Sequence, residues 1–210
     1  MADRNMQNWN VFWKEHKTPF LALFIMRKTH EKMLSLINNL NIPKNSKVVD
    51  FGSGTGRTLA ILKIKYPQAI GIDNSKMSLD ISSKVYDFKL GRDLKEMDCM
   101  NTYFKDKEID LVFSEGLLEH FKQKDLERLI KEMCRVSKKY IILLQPSFLF
   151  FNLQKIYCFL TSTSRMNEYA KRIEEYVSSF EKFNFKLKEF RRGFLNSFYI
   201  FVFERKGRLN

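Results

Sequence analysis

The 210-residue sequence predicts an α/β fold built on a doubly wound, mostly parallel sheet, and three observations carry that reading. Short apolar runs alternate with helical patterns from Lys47 to Gln145, the order that successive β-α units produce. A glycine-rich turn, VVDFGSGTGR (Val48–Arg57), stands between the first of these runs and the first helix of the alternation. Beyond the alternation, two aromatic-rich strands follow one another with no helix between them, so they pair antiparallel.

The elements follow in order. Trp9 to Leu40 places Phe20, Leu23, Phe24, Met33, Leu34, Ile37 and Leu40 at helical spacing, which predicts one or two amphipathic helices. A loop around Pro43 separates this helical cap, residues 1–45, from a main unit over residues 46–210, the two forming one compact body. Strands are then read at Lys47–Phe51, Ala69–Asp73, Leu94–Asp98, Ile109–Ser114 and Tyr140–Gln145. Helices are read between them at Thr55–Tyr66, ended by Pro67, at Ser75–Asp87 and at Lys124–Val136. A helix around Arg165–Phe180 leads to the closing strands, Phe183–Phe190 and Phe198–Glu204, joined by a loop around Gly193.

Composition narrows the classes. With 44% hydrophobic and 29% charged residues the chain is globular, and its length buries a full core without metal or disulfides. Cys99, Cys134 and Cys158 form no CxxC pair, so no zinc site or disulfide framework is expected. The polar start, MADRNMQNWN, lacks the apolar core of a signal peptide, and a cytoplasmic location is expected. Tyr140 to Leu160 is long enough to span a bilayer, but Gln145, Pro146, Asn152, Gln154 and Lys155 interrupt it. The net charge of +13 would suit nucleic acid or an anionic surface, yet the lysines are scattered among glutamates, as on a solvated face.

The question is which ligand the glycines serve. A strand, a glycine turn and a helix bring a ligand against backbone amides. A P-loop needs four residues between its glycines and a following lysine; Gly52 and Gly56 enclose three, and Arg57 follows. A dinucleotide fingerprint is GxGxxG, whereas this turn is GxGxG behind an acid, Asp50, which repels a pyrophosphate and suits a ligand carrying an ammonium group. Asp73 ends the second strand, where a carboxylate accepts from both hydroxyls of a ribose. Asp98 ends the third, where it can accept from an adenine amino group.

VVDFGSGTGR, IGIDNSKM, KEMDC, IDLVFSEGLLEHF and YIILLQP together resemble the successive motifs of the class I S-adenosylmethionine-dependent methyltransferases, from about Val48 to Pro146. The resemblance implies a Rossmann-like, seven-stranded sheet whose last strand is antiparallel and inserted between the fifth and sixth. It implies S-adenosylmethionine as cofactor, with Asp50, Gly52, Ser53, Gly54 and Gly56 facing its methionine part and Asp73 holding the ribose. It sets Asp98 at the adenine, with Asn74, Met77 and Cys99 beside these motifs, and Ser114, Glu115 and Gly116 near the methyl donor. Asn74 departs from the pattern, standing where the family often has an apolar residue.

No catalytic residue is named by the sequence. Glu115 reads either as a general base or as a cofactor contact, and His120 as a packing residue or a proton carrier. His16 and His30 have no metal-ligand companions and are expected at the surface, with no metal site anywhere. Trp9, Phe12 and Trp13 either pin the cap to the core or set a ring against the sulfonium. Phe148–Phe151 (FLFF) reads equally as a greasy substrate wall, a membrane-facing segment or the core face of a helix. The favoured acceptor is a small or lipid-like molecule, with peripheral membrane contact. RNA or protein methylation, or a non-catalytic cofactor-binding module, are the alternatives.

Overall fold

The computed structural model describes residues 20–148, 150–152, 169 and 171–207. Trp9, Phe12, Trp13, His16, Cys158, residue 149 of the FLFF run and residues 165–168 of the helix predicted around Arg165 lie outside the described residues.

Helix α1 (Phe20–Asn39) leads to β1 (Val48–Phe51), α2 (Arg57–Lys65), β2 (Ile70–Asp73), α3 (Lys76–Tyr86), β3 (Leu94–Glu96) and β4 (Ile109–Glu115). Then come α4 (Gln123–Val136), β5 (Ser137–Pro146), α5 (Ile173–Glu181), β6 (Phe185–Arg192) and β7 (Phe198–Arg205). The seven strands form one sheet in the order β3-β2-β1-β4-β5-β7-β6. The pairs from β3 through β5 are parallel; β7 runs antiparallel to both β5 and β6. This is the Rossmann-like sheet the motifs imply, with the last strand inserted as expected.

Continuous apolar strands follow from helices on both faces, because successive side chains point to opposite sides and each side is buried. In β5, Ile141 and Leu143 join the core with Leu129, Ile130 and Met133 of α4 and Tyr176 and Phe180 of α5. Ile142 and Leu144 join the other core with Met33 and Ile37 of α1, Leu59 and Leu62 of α2, and Leu79 of α3.

The observed boundaries shift where side-chain pattern and hydrogen bonding diverge. β3 stops at Glu96, so Asp98, predicted to end the strand, lies beyond it in an exposed turn where its Oδ1 accepts from the Met100 amide at 2.8 Å. β5 begins earlier, at Ser137, because that residue pairs with Ile109 of β4 although Lys138 and Lys139 interrupt the apolar pattern.

Candidate functional site

The site forms where β1, β2, β4 and β5 end. Leaving β1, the chain turns through Gly52, Gly54 and Gly56 at φ of 69°, 51° and 81°, values that side-chain-bearing residues rarely adopt. The amides of Gly52 and Ser53 both donate to the Ile72 carbonyl at 2.9 Å, stitching the turn to the end of β2. A Cβ on Gly56 would stand 1.9 Å from Ser82 Oγ of α3, so the close approach of α3 to the turn also requires glycine. α2 therefore begins at Arg57 rather than Thr55, its N-terminus opening on the turn.

Three carboxyl groups converge behind the turn. Asp50 is 1% exposed, and its Oδ2 has no hydrogen-bond partner in the protein. Burial, then the negative charges of Glu115 and Asp73, push the Asp50 carboxyl well above the ordinary carboxylate range. Asp73 is buried at the end of β2; its Oδ2 accepts from the Gly54 amide at 2.9 Å and its Oδ1 from the Ser75 amide at 2.8 Å. Burial raises its pKa against the pull of those donors, the Ser78 hydroxyl and the Asn74 amide.

Glu115 ends β4. Its Oε2 accepts from Thr58 Oγ1 of α2 and lies 2.8 Å from Nε2 of His30, while its Oε1 is buried with no partner. Burial pushes its pKa up, but the charge and hydrogen bond of His30, the Thr58 bond and the charge of Arg57 outweigh that, and the net effect is a lowering. His30 corrects the expectation of a surface residue: it is 3% exposed on the inner face of α1. Its position in the helix, three residues before Met33 and seven before Ile37, puts it on the buried stripe, and that spacing was the signal available in the sequence.

The remaining predicted positions separate. Ser53 is buried with an unbonded Oγ. Cys99 is buried, and burial, then the charge of Asp73, pushes its thiol well up. Ser114 Oγ donates to the Phe51 carbonyl at 3.0 Å and so ties β4 to β1. Asn74 is half-buried and Met77 exposed at the start of α3. His120 is half-buried in a short 3-10 turn, Leu118–His120. The sequence reading missed Thr58, His30 and Gln145; the last sits at the end of β5, fully buried, with neither amide atom bonded. Among the described residues no group of side chains could hold a metal ion.

Residues 48–140 match the model of a methyltransferase domain family. That stretch, from β1 into β5, is thus similar to a methyltransferase domain. A methyltransferase from Anabaena variabilis shares the fold of this domain and its surroundings at a TM-score of 0.74 and 14% identity, over 98% of this chain and 95% of that one. The partner of the Haloferax volcanii Trm112 methyltransferase activator does so at 0.71 and 12%, over 95% and 98%. Magnesium protoporphyrin IX methyltransferase from Synechocystis, with bound SAH, does so at 0.67 and 16%, over 97% and 95%. No curated protein matches by sequence.

Proposed function

We propose that this methyltransferase domain binds S-adenosylmethionine at the glycine turn and transfers its methyl group to a small or lipid-like acceptor. The observation that carries the reading is the set of buried carboxyl groups with unmade bonds. Asp50 Oδ2 and Glu115 Oε1 are withdrawn from water and bonded to nothing in the protein, and unsatisfied buried acceptors are costly. A cofactor bearing an ammonium and a sulfonium supplies the positive charge they lack. Asp50 and the turn Gly52–Gly56 would hold its methionine part, with Ser53 beside them. Asp73 would take the ribose; Asp98, with Asn74, Met77 and Cys99 near, would face the adenine. When bound, this cofactor supplies an activated methyl group.

The residues then orient and desolvate. Glu115 has a lowered pKa and accepts a hydrogen bond from the Thr58 hydroxyl, so it is a weak base and a good anchor for a cation. His30 holds that carboxylate, which makes α1 part of the site and supports a cap over residues 1–45 joined to a domain over 46–210. Rate enhancement comes from alignment of donor and acceptor.

Calorimetric titration with S-adenosylmethionine, followed by labelled methyl transfer into cell extract, tests this. Binding that Asp73→Ala removes, with label in the lipid or small-molecule pool, is the expected result. Absence of binding overturns the cofactor site. Label in RNA or protein overturns the acceptor class, and binding without any label points to a non-catalytic module.

A further inference from the structure

Four large apolar side chains stand in solvent around one short loop. Between β6 and β7 the chain turns through Gly193–Ser197, where the Gly193 amide donates to the Phe198 carbonyl at 2.8 Å. Leu195 at its tip is 71% exposed and adopts a φ of 52°, which a leucine rarely takes. Phe194 meets Phe24 of α1 edge to face at 5.9 Å, and Phe24 is itself 44% exposed with Leu23 next to it at 38%. On the other side, the Ser147 amide donates to the Ser197 carbonyl at 2.9 Å, which brings Phe148, 53% exposed, to the same loop. The patch thus joins α1, the β6–β7 loop and the segment after β5, and α1 carries His30 of the candidate site two turns further on.

Basic residues rim it. Arg27 and Lys28 lie one helical turn from Leu23 and Phe24, and Lys32 Nζ donates to the Arg192 carbonyl at 3.4 Å. Arg191 and Arg192 end β6 beside Gly193, and the acids nearby are Glu31 and Glu189, paired to Arg27, Lys28 and Arg191.

We propose that this patch docks the protein on an anionic lipid surface. Exposed apolar groups within a basic rim enter the boundary between headgroups and acyl chains while the cations meet the lipid charge. A second copy is the poorer occupant, since a two-fold contact would set this rim, on a chain of net charge +13, against itself. A nucleic-acid strand would use the cations and the rings but leave Leu23 and Leu195 without a role. The proposal rests on the proposed function only in letting a lipid-like acceptor reach the site; docking itself requires no cofactor.

The test is flotation of the cofactor-free protein with vesicles of phosphatidylcholine alone or with about 30% phosphatidylglycerol, an anionic fraction large enough to create a surface potential. Binding to the anionic vesicles only, weakened by salt, is expected. Leu195→Asn with Phe148→Ser should weaken it about tenfold or more, and Arg191→Glu with Arg192→Glu by a similar factor. Asparagine tolerates the left-handed φ at position 195, so the first variant keeps the loop. Unchanged S-adenosylmethionine affinity in both variants shows that they fold, and if the cofactor fails to bind even the parent protein, circular dichroism replaces it and the flotation result still stands. Absence of flotation with either vesicle overturns the proposal. So does self-association that the Leu195→Asn variant abolishes, or flotation that the apolar variant leaves intact while RNA binding is lost with the arginines.

Discussion

Two regions of this molecule treat their buried groups in opposite ways. At the carboxyl ends of β1, β4 and β5, Asp50, Ser53, Glu115 and Gln145 bury polar atoms that nothing in the protein bonds, beside a turn of left-handed glycines. Under α5, Phe180 stacks on Phe203 at 4.3 Å, Phe203 on Phe201 at 5.8 Å, and Tyr176 meets Phe201 at 5.3 Å. Aromatic pairs of this kind add stability beyond their buried area, whereas each unmade buried hydrogen bond subtracts from it. Under the proposed function the first region holds a ligand while the second holds the sheet together, so damage to each should read out differently.

The largest expected effect is on binding. Gly56→Val puts a branched side chain where a Cβ alone would stand 1.9 Å from Ser82 Oγ, at a φ of 81°. We expect at least about a 100-fold loss of S-adenosylmethionine affinity by titration, and about 2–4 kcal/mol of destabilisation in denaturant. Near-parental affinity would show that the turn is not the cradle. Phe203→Ala should do the reverse, costing about 3–5 kcal/mol while the folded fraction keeps its affinity. If affinity fell with Phe203, the two regions would be coupled and the comparison would fail.

The sequence was most informative where backbone geometry dictates residue type. The GxGxG turn, the acids at strand ends and the IILL run of β5 each have a local physical cause, and the sheet order followed from the family resemblance they carry. What it hid was produced by tertiary approach. His30 meets Glu115 across 85 positions, and Ser114, which looked free to face the methyl donor, turns its hydroxyl to the Phe51 carbonyl of the neighbouring strand. Asp98 read as a strand end because apolar pattern, not pairing, was all that could be seen. Pairing with β2 ends at Glu96.

Asp50→Asn sharpens the comparison next. The Asp50 carboxyl is raised above its unfolded value of 3.8, so the folded protein binds the proton more tightly. Its ionised form therefore opposes folding, and that penalty is absent below pH 3.8 and grows as pH rises through the folded value. Asparagine cannot ionise. The variant should melt above the parent at neutral pH, with the gap closing in acid, while cofactor affinity falls about 10- to 100-fold through loss of a charge-assisted contact. A variant that melts lower at neutral pH would mean that Asp50 is anchored by the fold rather than held for a cation.

The smallest effect belongs to the surface of the structural region. Lys188 Nζ and Glu204 Oε2 are 2.9 Å apart across β6 and β7, with side chains 38% and 18% exposed. Partial burial pushes the Glu204 carboxyl up, but the Lys188 and Tyr140 hydrogen bonds outweigh it, and the net shift is downward. A depressed carboxyl stabilises above its unfolded value of 4.5 and loses that contribution as pH falls through the folded one. Solvent screens so exposed a lysine, so Lys188→Met should cost about 0–1 kcal/mol at neutral pH, less in high salt, and nothing once Glu204 is protonated. A larger loss that persisted in acid would place the contribution in the Lys188 ammonium over the Tyr140 ring, whose centroid is 5.8 Å from Nζ, and not in the pair with Glu204. The aromatic layer would then act out to the surface of the sheet, and the contrast between the two regions would reach beyond their buried groups.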